Sequence, residues 1–184
     1  MRPERLDPDQ TALVVVDLQE KLLPAIDGEA RVLHNSLLLL RLASILDMPV
    51  VLTSQYAKGL GCTVPAVLEA APDVEPLDKL SFGCFGDESF TRRLGELGRE
   101  QLLVAGVESH ICVTQTVLGA LDAGYRVHVM SDAVGSRVAS NHDVGLSRME
   151  RAGALLSSAE MAIYELLGRS DGAAFKKMLP YLRG

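Results

Sequence analysis

The stretch QLLVAGVESHICVTQTVLGALDAG, residues 101–124, decides the fold of this chain. An apolar run at 102–105 ends at Gly106, and a short turn then leads into an amphipathic helical pattern. This pattern predicts Cys112 in the first turn of the helix. The first N–H groups of a helix lack intrahelical partners and the helix dipole is positive there, so the position favours a thiolate, the nucleophilic form of cysteine. We therefore expect the pKa of Cys112 to lie below that of a free thiol.

Length and composition narrow the class of protein. A chain of 184 residues and 19.8 kDa is long enough for one domain, 1–184, with a sizeable core. Its net charge of −6 argues against nucleic acid and anionic membrane surfaces as partners. No apolar run is long enough to span a membrane, and the first ten residues, MRPERLDPDQ, lack the apolar core of a signal peptide.

The cysteines indicate the compartment. The chain has three, Cys62, Cys84 and Cys112, an odd number with no C-x-x-C pair. Such sparse usage indicates reduced thiols and a cytoplasmic location. We expect Cys62 and Cys84 to be apolar filler rather than further reactive thiols.

Short apolar runs alternate with helical patterns along the whole chain. This alternation predicts an α/β fold, a three-layer α/β/α arrangement around a central, mostly parallel sheet of about six strands. Strands are expected at 12–16, 50–53, 101–105, 126–131 and 154–156. Helices are expected at 28–46, 66–71, 87–97, 141–152, 158–167 and 173–179, besides the one that ends at Gly124. Residues 55–78 are the least regular part, and long irregular segments in compact domains are often functional.

Three residues with complementary chemistry are expected at one edge of this sheet. Asp17 directly follows the first strand, Cys112 follows the central strand, and Lys79 lies in the irregular crossover between them. A carboxylate can accept the thiol proton, while an ammonium can hold the thiolate and orient the carboxylate. Taken singly, each has a plainer interpretation: a loop cap, a solvated lysine and a small core residue.

Three motifs carry a resemblance to a known family. VVVDLQ at 14–19, KLSFGCF at 79–85 and GVESHICVTQT at 106–116 resemble the signature blocks of the isochorismatase-like cysteine hydrolases. That family includes nicotinamidases and N-carbamoyl amide hydrolases and has a Rossmann-like fold. The resemblance runs from about residue 10 to residue 165, and SQYAKGLGCTVP is most similar to the isochorismatase-domain-containing subgroup, whose substrates are mostly unassigned.

The resemblance implies a role for each matching position. Cys112 would be the nucleophile, Asp17 the general base and Lys79 the third member of a catalytic triad. A cis peptide is implied between Val107 and Glu108, with the backbone N–H groups of Glu108 and Cys112 as the oxyanion hole. The implied reaction is hydrolysis of a small amide-like or related carbonyl substrate through a thioester on Cys112.

A catalytic metal is not expected. Nicotinamidases of the family carry an Asp-x-His cluster after the second strand, but the equivalent TSQYAKGLGCTVP holds neither residue. The four histidines, His34, His110, His128 and His142, show no ligand spacing. We therefore predict a metal-independent enzyme without a cofactor, and nicotinamide becomes a less favoured substrate.

The residues that flank the triad predict a small, largely apolar pocket for a small-molecule substrate. Residues two apart on a helix point roughly 200° apart, so His110 is expected at the pocket mouth rather than paired with Cys112. The pocket candidates are Gln19, Leu23, Gln55, Tyr56, Phe82, Phe85 and His110.

Two other classes of function compete with hydrolysis. The chain would be a non-catalytic or vestigial scaffold if the fold served only assembly, and a homo-oligomer is expected in either case because the family commonly assembles. A nucleotide-binding domain is disfavoured, because the G-x-G at 59–61 lacks a third glycine and a strand-to-helix context.

Overall fold

A six-stranded parallel sheet forms the centre of the molecule in the computed structural model, which describes residues 5–183. The strands run in the order β3-β2-β1-β4-β5-β6, so the predicted α/β fold is confirmed. Their bounds are β1 Thr11–Val16, β2 Val50–Gln55, β3 Leu77–Lys79, β4 Gln101–Val107, β5 Arg126–Gly135 and β6 Leu155–Ser157.

Helices connect successive strands and cover the sheet. The α-helices are α1 Glu29–Ile45, α2 Ala57–Leu60, α3 Pro65–Ala70, α4 Glu88–Glu96, α5 Thr114–Asp122, α6 Ala139–Arg151, α7 Ala159–Leu167 and α8 Ala173–Leu182. Two 3₁₀ turns at Leu23–Ala25 and Cys84–Gly86 and one π-helical turn at Ser109–Val113 complete the connections. As predicted, Asp87 and Ser158 cap helices, since their side chains accept hydrogen bonds from backbone N–H groups of the first turn.

The sheet separates two apolar layers. Leu13 and Val15 of β1 join a core cluster with residues of α1, α7 and α8, whereas Val14 and Val16 join a second cluster with residues of α4, α5 and α6. Successive side chains of a strand point to opposite faces, so a strand covered on both faces must be apolar throughout. This explains the unbroken apolar runs in the sequence and confirms the three-layer arrangement.

The sequence analysis missed the short helix α2 and the strand β3, and the strand matters more for the site. Its three residues, LDK, contain a single apolar side chain, so no pattern marks them as a strand. They pair in parallel with the end of β2, which places Lys79 at a strand terminus and not in an irregular crossover. Strand β5 is also longer than predicted and passes Asp132 to end at Gly135, with a register shift against β4 at Val104–Gly106.

Two predictions concern the chain as a whole. Within residues 5–183, none of the helices combines the length and apolar character that crossing a membrane demands. The single domain over residues 1–184 stays a prediction, and residues 1–4 and 184 lie outside the described part.

The strand order reverses between β1 and β4, and ligands of open parallel sheets bind in the crevice at this point. Gly106 makes the close approach of the two strand ends possible. Its φ is +113°, and a Cβ atom there would lie 2.0 Å from the carbonyl oxygen of Val16. Only glycine fits this position, because both the backbone conformation and the contact exclude a side chain.

Replacing Gly106 with Ala should therefore destabilise the fold by about 3 kcal/mol or more, since the clash is with backbone atoms that cannot move aside. Urea unfolding measures the change. Gly95→Ala is the matched control: a Cβ on this glycine of α4 would meet nothing within 4 Å. That control should be neutral or stabilising by about 0.5–1 kcal/mol. Equal stability of the two variants would contradict the role assigned to Gly106.

Candidate active site

Asp17 lies at the carboxyl end of β1 and is fully buried. Its φ of +54° turns the chain sharply after the strand. Both carboxylate oxygens are occupied, because the Thr53 hydroxyl donates to Oδ1 at 2.8 Å and the Lys79 ammonium donates to Oδ2 at 2.8 Å. The charge is therefore compensated on both sides by fixed donors.

Lys79 is also buried, with 2% of its surface exposed. The parallel pairing of β2 with β3 sets Gln55 directly beside Lys79, and the ammonium donates to Gln55 Oε1 at 2.8 Å. Further hydrogen bonds reach the carbonyl oxygens of Phe82 at 3.1 Å and Ser81 at 3.3 Å. A buried ion pair is favourable only with such additional partners, since each ion loses its hydration.

Cys112 completes the cluster from the π-helical turn that follows β4. Its thiol donates to Gln55 Oε1 at 4.0 Å, the same oxygen that accepts from Lys79. The structure thus brings Asp17, Lys79 and Cys112 together, although they are far apart in the sequence. The peptide bond between Val107 and Glu108 is cis, at the position where the resemblance implied it.

The electrostatics of the thiol differ from the prediction. Burial raises the pKa of Cys112 to about 12, and the charge and hydrogen bond of Asp17 add to this rise, while Lys79 opposes it. The predicted depression of the pKa was wrong, because Cys112 belongs to a buried π-helical turn that precedes α5 and faces a carboxylate. The resting group is therefore a thiol, and it donates to Gln55 Oε1.

The other two cysteines have different surroundings, and all three thiols are free. Cys84 is buried, as predicted for apolar filler, and burial raises its pKa to about 11. Cys62 is exposed, so its assignment as apolar filler was wrong. It follows a solvent-facing turn after α2, where no core is available to cover it.

Gln19 and Gln55 form a clamp between the loop after β1 and the end of β2. The side-chain amide of Gln19 donates to the carbonyl oxygens of Gln55 at 3.1 Å and Gly61 at 2.7 Å, and its Oε1 accepts from Gln55 N at 2.7 Å. The Gln55 side chain donates to Leu80 O at 3.0 Å. Of these two pocket candidates, Gln55 therefore borders the sulfur, while Gln19 is used within the protein.

Two of the aromatic candidates lie at the surface beside the cluster. Tyr56 follows β2 with 48% of its surface exposed, and Phe82 follows β3 with 57% exposed. Leu80, which the sequence analysis did not single out, is 75% exposed. The chain thus exposes apolar side chains directly after β2 and β3. We refer to Tyr56, Leu80 and Phe82 as the apolar rim.

Leu23 and Phe85 lie elsewhere. Leu23 is buried in the core cluster with α1, and the Phe85 ring packs against Phe90 and Tyr125 at centroid distances of 5.4 and 6.0 Å. Tyr125 precedes β5, at the opposite edge of the sheet from Asp17. The structure therefore does not support Leu23 and Phe85 as pocket residues, because both side chains pack against other parts of the protein.

His110 belongs to a second polar cluster. Its Nδ1 lies 2.9 Å from the Ser136 hydroxyl, which also contacts the hydroxyl of Ser109, and His142 Nδ1 lies 3.1 Å from the Ser109 hydroxyl. This network ties the π-helical turn to the segment after β5 and to α6. His110 is thus engaged away from Cys112, in agreement with the expectation that the two do not pair.

Glu108 carries an ion pair that sequence reasoning missed. Its carboxylate is buried and accepts from the Arg137 guanidinium at 2.8 Å and from Arg137 N at 2.9 Å. Arg137 follows β5, whose extension beyond Asp132 was not predicted. The pair anchors the residue after the cis bond to the neighbouring strand end.

The ionisable side chains of the described residues bear on the expected absence of a catalytic metal. Residues 5–183 contain no group of three or more His, Cys, Asp or Glu residues that could hold a metal ion. At the end of β2, beside the segment where the resemblance implied the metal ligands of nicotinamidases, this chain has the neutral Gln55.

Comparison with known proteins assigns the chain to a family. The model of the isochorismatase domain matches residues 11–161. The chain belongs to the isochorismatase family. It is 37% identical to the secreted isochorismatase effector Isc1 of Phytophthora sojae, over 95% of this chain and 85% of that protein. It is 34% identical to mouse isochorismatase domain-containing protein 2A, over 95% of this chain and 83% of the relative.

Solved structures of the same fold cover nearly the whole chain. The MAR1 ribonuclease of Caenorhabditis elegans has a TM-score of 0.92 at 35% identity, covering 98% of this chain and 93% of its own. YcaC of Pseudomonas aeruginosa, described with covalent acrylamide, has a TM-score of 0.92 at 28% identity and coverage of 100% and 96%. YcaC of Escherichia coli, described as an octameric hydrolase of unknown specificity, has a TM-score of 0.91 at 27% identity, with the same coverage.

Because Asp17 raises the pKa of Cys112 and Lys79 lowers it, the two substitutions should act in opposite directions. Asp17→Asn should speed alkylation of Cys112 by iodoacetamide near pH 8 by about tenfold or more, and Lys79→Met should slow it. The rates are measured by peptide mass spectrometry in a Cys62→Ser background, which removes the exposed thiol. Slower alkylation in Asp17→Asn would contradict the assigned electrostatics.

Proposed function

We propose that this protein is a metal-independent cysteine hydrolase that cleaves a small, neutral amide or related carbonyl compound through a thioester on Cys112. One observation carries the proposal: Cys112 Sγ and the Lys79 ammonium share Gln55 Oε1, and Lys79 and Thr53 hold the buried Asp17 carboxylate in the same cluster. A nucleophile, a base in contact with it and groups that orient the base are what covalent catalysis requires.

In the acylation half, Asp17 accepts the thiol proton while Cys112 Sγ attacks the carbonyl carbon. The carbonyl π electrons move to oxygen, and the backbone N–H groups of Glu108 and Cys112 donate to this oxyanion in the proposed site. The C–N bond then breaks as Asp17 returns the proton to the leaving nitrogen. The products of this half are a free amine and the thioester.

In the second half, a water molecule replaces the amine. Asp17 accepts a proton from this water as its oxygen attacks the thioester carbonyl, and the C–S bond breaks. The sulfur takes back the proton from Asp17, which restores the thiol. Lys79 stays charged throughout and stabilises the negative charge wherever it stands, on Asp17 or on sulfur.

The charges of the site favour a neutral substrate. The Lys79 ammonium already donates to Asp17, Gln55 and the carbonyl oxygens of the following segment. Arg137 is paired with Glu108, and the side chains of the apolar rim are exposed and uncharged. An anionic substrate such as isochorismate would meet no cation that the protein has not already paired in this cluster.

The relatives support hydrolysis at a coarser level. The E. coli neighbour is described as a hydrolase, and acrylamide, described as covalent in the Pseudomonas neighbour, is itself a small neutral amide. The C. elegans neighbour is described as a ribonuclease. The net charge of −6 of this chain does not favour an RNA substrate, since RNA binding draws on basic surfaces.

The proposal includes a cytoplasmic location and homo-oligomeric assembly. Free thiols at all three cysteines suit a reducing compartment, although the Phytophthora relative is described as secreted. The octameric E. coli neighbour and the exposed Leu80, Val144 and Met161 side chains support assembly.

The thioester is testable by intact-mass spectrometry after acid quenching. With a panel of small neutral amides and their activated esters, the wild type should gain the mass of an acyl group on Cys112, and Cys112→Ala should gain none. Cys84→Ala, which keeps the triad, should still be acylated. Turnover that disappears on EDTA treatment would contradict metal independence, and absence of any adduct across the panel would favour the scaffold interpretation.

Assembly is testable by sedimentation equilibrium. The measured mass should be a multiple of the 19.8 kDa of the chain. A mass equal to one chain at micromolar concentration would contradict the proposed homo-oligomer.

A further inference from the structure

Three residues behind the catalytic cluster connect the base to the nucleophile without touching the entrance. Thr53 lies on β2, Cys84 begins the 3₁₀ turn after β3, and Thr116 lies on α5. All three are buried. The family resemblance gives none of them a role, and the mechanism above mentions only Thr53, as a contact of Asp17.

The first arm leads to the base. The Thr53 hydroxyl donates to Asp17 Oδ1 at 2.8 Å, and the Cys84 thiol donates to Thr53 Oγ1 at 3.9 Å. Because Lys79 holds only Oδ2, Thr53 is the side chain that fixes the rotation of the carboxylate about its last bond.

The second arm leads to the nucleophile. The backbone N–H of Cys84 donates to Thr116 Oγ1 at 3.0 Å, and the Thr116 hydroxyl donates to the carbonyl oxygen of Cys112 at 2.7 Å. This arm holds the turn of chain that carries Cys112, and it starts from the same residue as the first arm.

The direction of the hydrogen bonds is determined throughout. Each threonine hydroxyl has one hydrogen and gives it to a catalytic residue, so Cys84 must be the donor at both ends. A protonated thiol is therefore required at Cys84. Burial raises the pKa of Cys84 to about 11, which keeps this donor in place at neutral pH.

We propose that Thr53 and Thr116 are positioning residues, joined through Cys84 into one bridge that fixes the Asp17 carboxylate relative to Cys112. The inference rests on the proposed function, and it assigns the bridge no contact with substrate. The bridge would keep the base and the nucleophile at a fixed distance, which matters because displacement of reacting groups by about 1 Å can cost on the order of a hundredfold in rate. Residues that act through one bridge must also show coupled effects.

A double-mutant cycle tests the bridge with two rates at Cys112. The variants are Thr53→Val, Thr116→Val and the double variant, each of which removes a hydroxyl and keeps the side-chain shape. In each variant the Asp17 carboxylate is no longer held in its fixed position relative to the Cys112 sulfur. The pKa of Cys112 should therefore fall, and iodoacetamide alkylation near pH 8 should become about tenfold faster. Acylation by p-nitrophenyl acetate should slow by about tenfold.

The double variant distinguishes one bridge from two separate supports. If the arms form a single bridge, its rates should match those of either single variant within about threefold, since the second cut removes nothing further. Effects that multiply to about a hundredfold would overturn the proposal. Thr53→Ser and Thr116→Ser keep the hydroxyl and should restore both rates, and failure to restore them would also overturn it.

Thr11→Val controls for a general loss of stability. Thr11 is another buried threonine, and its hydroxyl donates to Asp7 O at 2.6 Å, at the opposite end of β1 from the site. This variant should lose stability comparably in urea unfolding and leave both Cys112 rates unchanged. Equal rate changes in Thr11→Val would overturn the bridge.

The two readouts separate the bridge from the proposed function. If wild-type Cys112 is alkylated but never acylated, hydrolysis fails, and the alkylation cycle still decides whether the bridge exists. If the wild type is acylated and neither rate moves in the valine variants, only the bridge fails.

Discussion

The buried ion pair between Asp17 and Lys79 is the interaction on which the rest of the site depends. Each charge in isolation would cost several kcal/mol to remove from water, so the surrounding chain must supply compensating hydrogen bonds. It does so from the two strands next to β1: Thr53 and Gln55 lie on β2, and the carbonyl oxygens follow β3. Because β3, β2 and β1 are neighbours in the sheet, Lys79, its partners on β2 and Asp17 lie side by side.

The pair also determines the state of the nucleophile. Burial removes the water that would stabilise a thiolate, and the negative charge of Asp17 disfavours a second negative charge beside it, so the proton stays on Cys112. In the proposed mechanism, proton transfer then accompanies attack instead of preceding it. In that mechanism the thiol reacts with a carbonyl compound held beside both it and Asp17, and it is poorly reactive toward other electrophiles, which depend on free thiolate.

The sequence predicted those parts of the molecule that depend on local patterns. Unbroken apolar runs revealed the buried strands, Asp87 and Ser158 revealed helix starts, and the placement of Asp17 and Cys112 after strands predicted their common edge. β3 was missed because three residues with one apolar side chain show no alternation of apolar and polar positions. These residues form a strand because they pair with β2. The pKa of Cys112 was predicted with the wrong sign, because the helix-start argument considers the backbone alone, while burial and Asp17 are tertiary effects.

Long-range packing also decided which flanking residues reach the site. Phe85 and Phe82 are three apart in sequence, yet one ring fills an aromatic cluster and the other faces solvent. Gln55 looked like one pocket residue among several, and the β2–β3 pairing makes it the neighbour of Lys79. No sequence pattern predicts which of these side chains is buried and which reaches the site, because this depends on the packing of neighbouring helices and strands.

The segment after β3 links the charge cluster to the proposed substrate entrance. The carbonyl oxygens of Ser81 and Phe82 accept from the Lys79 ammonium, while the side chains of Leu80 and Phe82 belong to the apolar rim. One short stretch of backbone therefore fixes the cation, and its side chains meet the incoming molecule. If a substrate binds through apolar contact with the rim, that contact also stabilises the segment that holds Lys79 against Asp17. Substrate fit and catalytic geometry are then not independent, and the proposed selectivity for a neutral carbonyl compound rests on the pairing of Lys79 with Asp17 and of Arg137 with Glu108.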